Sequence, residues 1–260
     1  MVLGKMSEIS HLILDFDGTL VEGEPEGFRL SPLVRQISRL SSQGVAICLA
    51  SGRGSAVLRF ARFLWEKTST KCYVIRWNGL EGLRVPPDEV LFRLRPFSRE
   101  HLLRIRLLLK DMGFTPQILK PEIVRLKASS RSSPLAVLNK IRPTLGSHIP
   151  GILCTWNQAA VDISPPGCDK AAAVRKLFPH VKRSRVLALG DSCHELGNDY
   201  ALLRSFPSYC VGNWDAACSA GRAVINAEGR VLHGTTATFH VLRDVSGAKE
   251  KSFSVSVIKT

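Results

Sequence analysis

Short apolar runs alternate with amphipathic segments along most of the chain. The apolar runs predict strands at residues 10–15, 44–50, 72–77, 185–189 and 208–211. Apolar residues recur with helical spacing between these runs, at residues 31–42, 54–66 and 169–178. Strands that alternate with helices are typical of a parallel sheet with crossover helices, and the sequence therefore predicts an α/β fold with a Rossmann-like core.

The pattern changes between about residues 80 and 160. It predicts a strand at 90–95, a helix from Ser98 to Met112, a strand at 122–128, a helix at 134–142 and a hairpin at 151–163. This order indicates a small α+β module inserted into the core as a cap. We therefore predict a discontinuous core of residues 1–80 and 161–245, an inserted cap of residues 81–160, and a polar tail of residues 246–260.

The composition limits the class of protein. The chain has 260 residues, of which 45% are hydrophobic and 22% are charged, as in ordinary globular proteins. Its apolar runs are too short to span a membrane. The seven cysteines are odd in number and form no Cys-x-x-Cys pair, which favours reduced cysteines in a cytoplasmic protein.

The formal charge of +14 is the one unusual bulk property. A basic surface attracts anions, and it can also bind nucleic acid without sequence preference. Because the excess is spread along the chain without a basic tract, we expect an anionic small-molecule phosphate as partner rather than nucleic acid. No membrane partner is expected, and the sequence leaves the oligomeric state open.

Two carboxylates stand at the end of the first predicted strand. Asp15 and Asp17 lie on one side of that strand end, with Phe16 turned away. Two acids at this spacing repel each other unless a cation or a shared proton relieves the repulsion. Open α/β sheets bind ligands at the carboxyl ends of their strands. The pattern favours a magnesium site, although an acidic turn at Asp17-Gly18 would have the same sequence.

The whole string from His11 to Leu20 resembles the first motif of the haloacid dehalogenase (HAD) superfamily. The resemblance implies that Asp15 is a nucleophile that becomes phosphorylated. It implies that Asp17 is the general acid and base, and that its backbone carbonyl binds Mg²⁺.

Two further segments resemble motifs of the same family, in the expected order. Residues 50–53 follow the second predicted strand, where the Ser51 hydroxyl and a backbone N–H can hold a phosphoryl oxygen. The resemblance makes Ser51 and Gly52 phosphate-binding residues, whereas Arg53 fits the motif or only fixes the loop. Lys170 opens an alanine-rich helix, and the resemblance implies that its ammonium neutralises the nucleophile and the phosphoryl group.

The last motif departs from the family pattern. Asp191 follows a predicted strand and would be a magnesium ligand by the resemblance. The family has an Asn-Asp pair three and four residues later, where this chain has His194 and Glu195. Asn198 and Asp199 come one helical turn further along. Either Glu195 on a helix starting at Asp191 or Asp199 after a longer loop supplies the second acid, and the loop favours Asp199.

Three features resemble the Cof-like group, type IIB, of the superfamily. These are an Asn-Gly turn at residues 77–79, the segments at 211–213 and 223–225, which resemble the closing strands of that group, and the position of the inserted module. The resemblance implies relatives such as trehalose-6-phosphate, sucrose-phosphate and mannosyl-3-phosphoglycerate phosphatases, and it makes Asn78 a candidate substrate ligand. Further basic residues of the predicted cap are candidates for gripping the substrate: Arg84, Arg93, Arg95, Arg125, Lys127 and Arg131.

The expected function is a magnesium-dependent phosphomonoester hydrolase that forms an aspartyl-phosphate. The resemblance favours a sugar or polyol phosphate as substrate. The alternatives are a phosphomannomutase-like phosphotransferase, a nucleotide or nucleic-acid end phosphatase, and a non-catalytic binding protein.

Overall fold

A computed structural model describes residues 8–22, 28–119, 123–127, 132–157, 160–215, 217–226 and 228–247. In chain order its strands are β1 (His11–Asp15), β2 (Ala46–Ala50), β3 (Cys72–Arg76), β4 (Glu81–Val85), β5 (Glu89–Arg93), β6 (Gln117–Leu119), β7 (Ile123–Lys127), β8 (Leu153–Trp156), β9 (Ala160–Ser164), β10 (Val186–Gly190), β11 (Ser208–Cys210), β12 (Val224–Ile225) and β13 (Val231–Leu232). Its α-helices are α1 (Pro32–Ser42), α2 (Ser55–Thr68), α3 (Arg99–Asp111), α4 (Pro134–His148), α5 (Lys170–Leu177), α6 (Tyr200–Ser205) and α7 (Gly234–Val245).

The main sheet has the strand order β11-β10-β1-β2-β3-β4-β5. Its first five strands are parallel, and β4 and β5 extend one edge in antiparallel pairing. Each of the five parallel strands lies where the apolar runs predict one. This mostly parallel sheet confirms the predicted α/β fold.

Helices cover both faces of the main sheet. Leu12 and Leu14 of β1 pack with α1, α2 and α7, whereas Ile13 packs on the other face with α5 and α6. This alternation follows from the period of two in a strand, and because both faces are buried, β1 reads as a continuous apolar run. Helix α1 begins as the sequence predicts, since the Ser31 side chain accepts the Val34 N–H at 3.3 Å.

A second sheet is antiparallel, with the order β6-β7-β9-β8. Helices α3 and α4 cover one face of it through a separate hydrophobic cluster that includes Ile105, Leu138 and Ile163. This sheet confirms the inserted α+β module, and its β8–β9 pair is the predicted hairpin.

The strand pairing differs from the predicted assignment at both ends of the cap. Strands β4 and β5 were expected in the cap, but β4 pairs with β3 and both belong to the main sheet. Strand β9 was assigned largely to the core, but it pairs with β7 and β8 in the cap sheet. The alternation of apolar residues marks these segments as strands without indicating which sheet they join. The division into domains itself stays a prediction.

The chain after β11 forms a short hairpin of β12 and β13 and then α7. The predicted tail lies outside the described residues from 248 onward. Within the part of the chain that the structure describes, no helix combines the length and the apolar character needed to cross a membrane.

Candidate active site

The carboxyl ends of the central strands bring the predicted site residues together. Asp15 is the last residue of β1, Ser51 directly follows β2 and Asp191 directly follows β10. Asp15 pairs in register with Ala50, and the preceding Leu14 pairs with Leu189. Parallel neighbours end at the same edge of a sheet, so these side chains share one cleft, as the sequence predicts.

Lys170 lies at the centre of this cleft. It is the first residue of α5, whose N-cap is Asp169, and its side chain is fully buried. Its Nζ donates to Asp15 Oδ1 at 2.5 Å and to Asp199 Oδ1 at 2.6 Å. Burial alone would lower the pKa of Lys170, but the two carboxylates outweigh burial and raise it. The side chain is therefore a fixed cation between two acids.

Three carboxylates surround a common point. Ligand oxygens of Asp15, Asp191 and Asp199 all lie within 4.8 Å of one another. Asp199 is completely buried, and its Oδ2 accepts the backbone N–H groups of Asp191 and Ser192, each at 3.2 Å. Residues 191–199 form a loop before α6, and Glu195 is exposed in that loop. The structure thus brings Asp199 to the cluster and leaves Glu195 outside it.

The electrostatics of the cluster suit a divalent cation. Burial and the neighbouring charge of Asp199 raise the pKa of Asp15 to about 8, although Lys170 opposes the shift. Burial and the charges of Asp15 and Asp199 raise the pKa of Asp191 well above its usual value. Mg²⁺ prefers oxygen ligands, and a cation here would relieve the repulsion that these shifts report. The residues present therefore fit a magnesium ion.

Asp17 is held at the mouth of the cleft by Ser51 and Arg53. The Ser51 hydroxyl donates to Asp17 Oδ2 at 3.3 Å, and Arg53 Nε lies 3.0 Å from Asp17 Oδ1. Burial raises the pKa of Asp17, while the positive charges of Arg53 and Lys170 oppose the shift. A raised pKa lets this carboxyl carry a proton more readily than an exposed aspartate does.

Glycines allow the loops of the cleft to approach each other. Gly18 has a φ of +74°, and a Cβ there would lie 2.4 Å from Asp191 Oδ2. A Cβ at Gly52 would lie 3.0 Å from Asn78 Oδ1. The Ser51 N–H donates to the Ile75 carbonyl at 2.9 Å, and the Ser51 hydroxyl, which donates to Asp17, also accepts the Arg53 N–H at 2.8 Å. Gly18 belongs to the first motif, but the sequence did not predict its close approach to Asp191.

The core meets the cap through a hydrogen bond from Asn78 to Asp162, which also forms an ion pair within the cap sheet, and the sequence revealed neither contact. Arg125 of β7 donates from Nε and Nη2 to Asp162 of β9, at 2.6 and 2.8 Å. Asn78 Nδ2, from the core, donates to Asp162 Oδ2 at 3.0 Å. Asp162 was not singled out, because no motif marks it. The only feature of the sequence that could indicate a role for Asp162 is its position in β9, the strand before the helix that begins at Lys170.

A cavity of about 870 Å³ lies between the cap and the core. The cap side contributes Gln117, Arg125, Lys127 and Asn157, and the core side includes Asp17, Gly52 and Asp191. Arg84, Arg93 and Arg95, which were expected to face the substrate, do not line this cavity. Arg84 and Arg93 are on β4 and β5 of the main sheet, where they pair with Glu89 and Glu81. Arg131 lies outside the described residues.

Comparisons with known proteins agree with this architecture. The family model of haloacid dehalogenase-like hydrolases matches residues 12–119. No curated protein sequence matches the chain significantly.

Solved structures of this superfamily share the fold at low sequence identity. A putative HAD/COF-like hydrolase from Plasmodium vivax is 14% identical, with a TM-score of 0.68 over 94% of this chain and 97% of that one. A HAD phosphatase from Bacteroides thetaiotaomicron is 19% identical, with a TM-score of 0.61 over 82% and 88% of the two chains. A subclass IIB sugar phosphatase is 16% identical, with a TM-score of 0.62 over 79% and 88%. Residues 12–119 therefore match the haloacid dehalogenase-like hydrolase family, and the chain as a whole has the fold of subclass IIB hydrolases.

Proposed function

We propose that the chain is a magnesium-dependent phosphomonoester hydrolase that acts through an aspartyl-phosphate, with a sugar or polyol phosphate as substrate. The observation that carries the proposal is the convergence of Asp15, Asp191 and Asp199 around the buried ammonium of Lys170. A cluster of buried acids with a single lysine is costly to fold, and such arrangements are typical of catalytic sites.

Asp15 is the proposed nucleophile. One of its carboxylate oxygens attacks phosphorus, and the bond from phosphorus to the leaving alcohol breaks in line with the new bond. Lys170 fixes the position of Asp15 through its 2.5 Å hydrogen bond to Oδ1. In the second step water attacks the phosphorus of the aspartyl-phosphate, which releases inorganic phosphate and restores the Asp15 carboxylate.

Asp17 is the proposed proton carrier in both steps. Its raised pKa favours a protonated carboxyl that can donate to the leaving alkoxide. The carboxylate that results then accepts a proton from the attacking water. The contacts from Ser51 and Arg53 hold this side chain at the cavity, where a leaving group would stand.

The remaining residues of the cleft have binding roles in this proposal. The Ser51 hydroxyl, the Gly52 N–H and the Lys170 ammonium bind the phosphoryl oxygens. The side chains of Asp15, Asp191 and Asp199 and the backbone carbonyl of Asp17 would hold Mg²⁺. When bound, the ion supplies positive charge that balances the phosphoryl group and the acids around it.

The cap side of the cavity supports a polyhydroxylated substrate. Gln117 and Asn157 offer amide groups, and Arg125 and Lys127 offer cationic donors. Asp162 already offsets the charge of Arg125 through two hydrogen bonds. Such a lining provides hydrogen bonds to hydroxyl groups rather than a strongly cationic site for a polyphosphate. Asn78 supports the cap through Asp162, and we assign it an indirect role in substrate binding.

A panel of phosphorylated metabolites tests the proposal, assayed for phosphate release with Mg²⁺ and with EDTA. We expect Mg²⁺-dependent release from at least one sugar or polyol phosphate, and loss of that activity in Asp15→Asn. Glu195→Gln is the matched control, because Glu195 is an exposed acid of the same loop as Asp191 and should be dispensable. Transfer of phosphate to a second sugar without release would favour a phosphotransferase. No activity on any compound would contradict the proposal.

A further inference from the structure

A second cluster of metal-binding side chains includes two residues of the loop between Asp191 and Asp199. Ligand atoms of Cys193, His194 and Cys218 all lie within 4.8 Å of one another. Cys193 and His194 follow Asp191 in the loop, and Cys218 lies between β11 and β12. A β-bridge pairs His194 with Cys218, and the Ser219 N–H donates to the Cys193 carbonyl. Backbone contacts therefore hold the two segments side by side.

Three thiols meet in this cluster. The Cys193 side chain is in hydrogen-bond contact with those of Cys210 and Cys218. Cys193 and Cys210 are completely buried, and Cys218 is 8% exposed. Buried cysteines alone often act as small apolar residues, so their burial would not indicate a ligand.

The polar groups beside the thiols distinguish this cluster from apolar packing. His194 Nε2 lies 3.8 Å from Cys218 Sγ, and it lies 3.1 and 3.2 Å from the two carboxylate oxygens of Asp215. Zinc bond lengths of about 2.0–2.3 Å and tetrahedral angles place pairs of ligand atoms roughly 3.3–3.8 Å apart. One imidazole nitrogen thus faces a thiol and a carboxylate at separations close to those of ligands on one tetrahedral ion.

We propose that Cys193, His194, Cys218 and Asp215 bind a thiophilic divalent cation, Zn²⁺, in a structural site. Thiols and an imidazole favour Zn²⁺ over Mg²⁺, whereas the carboxylates of the catalytic cleft favour Mg²⁺. The two sites share no residue, so the zinc site does not depend on the proposed phosphatase function. Cys210 packs against the Cys193 sulfur as a neighbour.

The position of this site gives it a consequence for the catalytic cleft. Cys193 and His194 lie in the loop between Asp191 and Asp199, which departs from the spacing of the family motif. A metal bound there would link this loop to Asp215 and Cys218 and fix the positions of Asp191 and Asp199.

Titration of the metal-free, reduced full-length protein with Co²⁺ tests the proposal by absorption spectroscopy. We expect one Co²⁺ per chain with thiolate charge-transfer absorption and the intense visible bands of tetrahedral cobalt, which Zn²⁺ removes. Co²⁺ in the carboxylate cleft gives no thiolate absorption, so the two sites are distinguishable. Cys218→Ser should lose the charge-transfer absorption, whereas Cys154→Ser, a buried cysteine of the cap, should keep it.

Two measurements keep the proposal falsifiable if a variant folds poorly. Metal analysis of wild-type protein purified without chelators should find about one Zn²⁺ per chain, which a chromogenic chelator takes up in equal amount. Saturating Co²⁺ without thiolate absorption in the wild type would overturn the proposal. So would wild-type protein that contains no zinc after purification without chelators and binds none when zinc is added to the reduced protein.

Discussion

The ammonium of Lys170 donates to the carboxylate of Asp15 at 2.5 Å, although 155 residues separate them in the sequence. Both side chains are almost completely buried. Burying charges requires that each be paired, and here one cation stands against several acids. The pair therefore fixes the nucleophile while it leaves an excess of negative charge for a metal ion.

Removing this cation should affect both stability and activity. Lys170→Met leaves the Asp15 and Asp199 carboxylates without their shared partner, and breaking a buried ion pair costs about 3–5 kcal/mol. We expect a loss of that order above about pH 8, where Asp15 is ionised, and a smaller loss at lower pH, where Asp15 holds a proton. Activity should fall by about 10²-fold or more, because the phosphoryl group loses a charged donor. Urea denaturation and phosphate release measure the two effects.

Lys182→Met is the control for this change, because Lys182 is exposed. It should alter neither quantity. A Lys170→Met protein as stable as the wild type above about pH 8 would contradict the role given to the ion pair.

Without metal, the protein should lose stability as the pH rises from about 5 to about 8. The native pKa of Asp15 is raised to about 8 from 3.8, so the native state holds a proton that the unfolded chain has released. Stability falls with pH wherever the native state binds more protons than the unfolded state. Denaturation in EDTA at several pH values measures the slope. Asp15→Asn should have a shallower slope, and an unchanged slope would refute the assignment to Asp15.

Magnesium should bind more tightly as the pH rises over the same interval. Asp15 and Asp191 have raised pKa values in the absence of metal, so protons compete with the ion for these oxygens. The thermal stabilisation by a fixed Mg²⁺ concentration should therefore be larger at about pH 8 than at about pH 6. Differential scanning calorimetry measures this difference. Stabilisation that is equal at both pH values would place the ion elsewhere.

The close approach of Gly18 to Asp191 gives a prediction about metal affinity. Gly18→Ala strains a positive φ, at about 1–2 kcal/mol, and its Cβ displaces the Asp191 carboxylate. We expect Mg²⁺ affinity to fall by about 10-fold or more, as for other changes that misplace a ligand. Gly113→Ala is a matched control, because Gly113 has a φ of +82° with open space around it. The strain at this position should lower the stability of Gly113→Ala, but its Mg²⁺ affinity should be unchanged.

Lys127 of the cap should contribute to substrate binding rather than to the chemical step. It lines the cavity from the cap side, whereas Asp17, Gly52 and Asp191 line it from the core side. Lys127→Ala should raise the KM of the preferred sugar phosphate several-fold with little change in kcat. The reason is that Lys127 would contact the substrate equally in the ground state and in the transition state. Arg84→Ala, an exposed cation on the main sheet, is the control and should change neither constant. An equal loss of kcat in Lys127→Ala would contradict this assignment.

The central part of the site was predictable because of a rule about parallel sheets. Asp15, Ser51 and Asp191 each end an apolar run, and parallel strands that are neighbours end at one edge. Lys170 was predictable from the motif order, whereas its two hydrogen bonds depend on the packing of α5 against the sheet.

Other features depend on contacts that the sequence does not encode locally. The choice of Asp199 over Glu195 depends on the path of the loop, which backbone N–H groups of residues 191 and 192 fix by binding Asp199. Asp162 meets Arg125 only when β7 pairs with β9, and it meets Asn78 only when the cap packs on the core. Whether β4 and β5 join the main sheet or the cap sheet depends on which sheet has an edge strand free to pair with them. The spacing of apolar residues does not indicate this.

Peptide mass spectrometry of acid-quenched protein tests the central claim most directly. The protein is quenched during turnover of p-nitrophenyl phosphate with Mg²⁺, and the mass of the Asp15 peptide is measured. The account predicts a phosphoryl group on Asp15, which accumulates further in Asp17→Asn because hydrolysis of the intermediate is slowed. Phosphate release that continues in Asp15→Asn, without any adduct on Asp15 of the wild type, would contradict it.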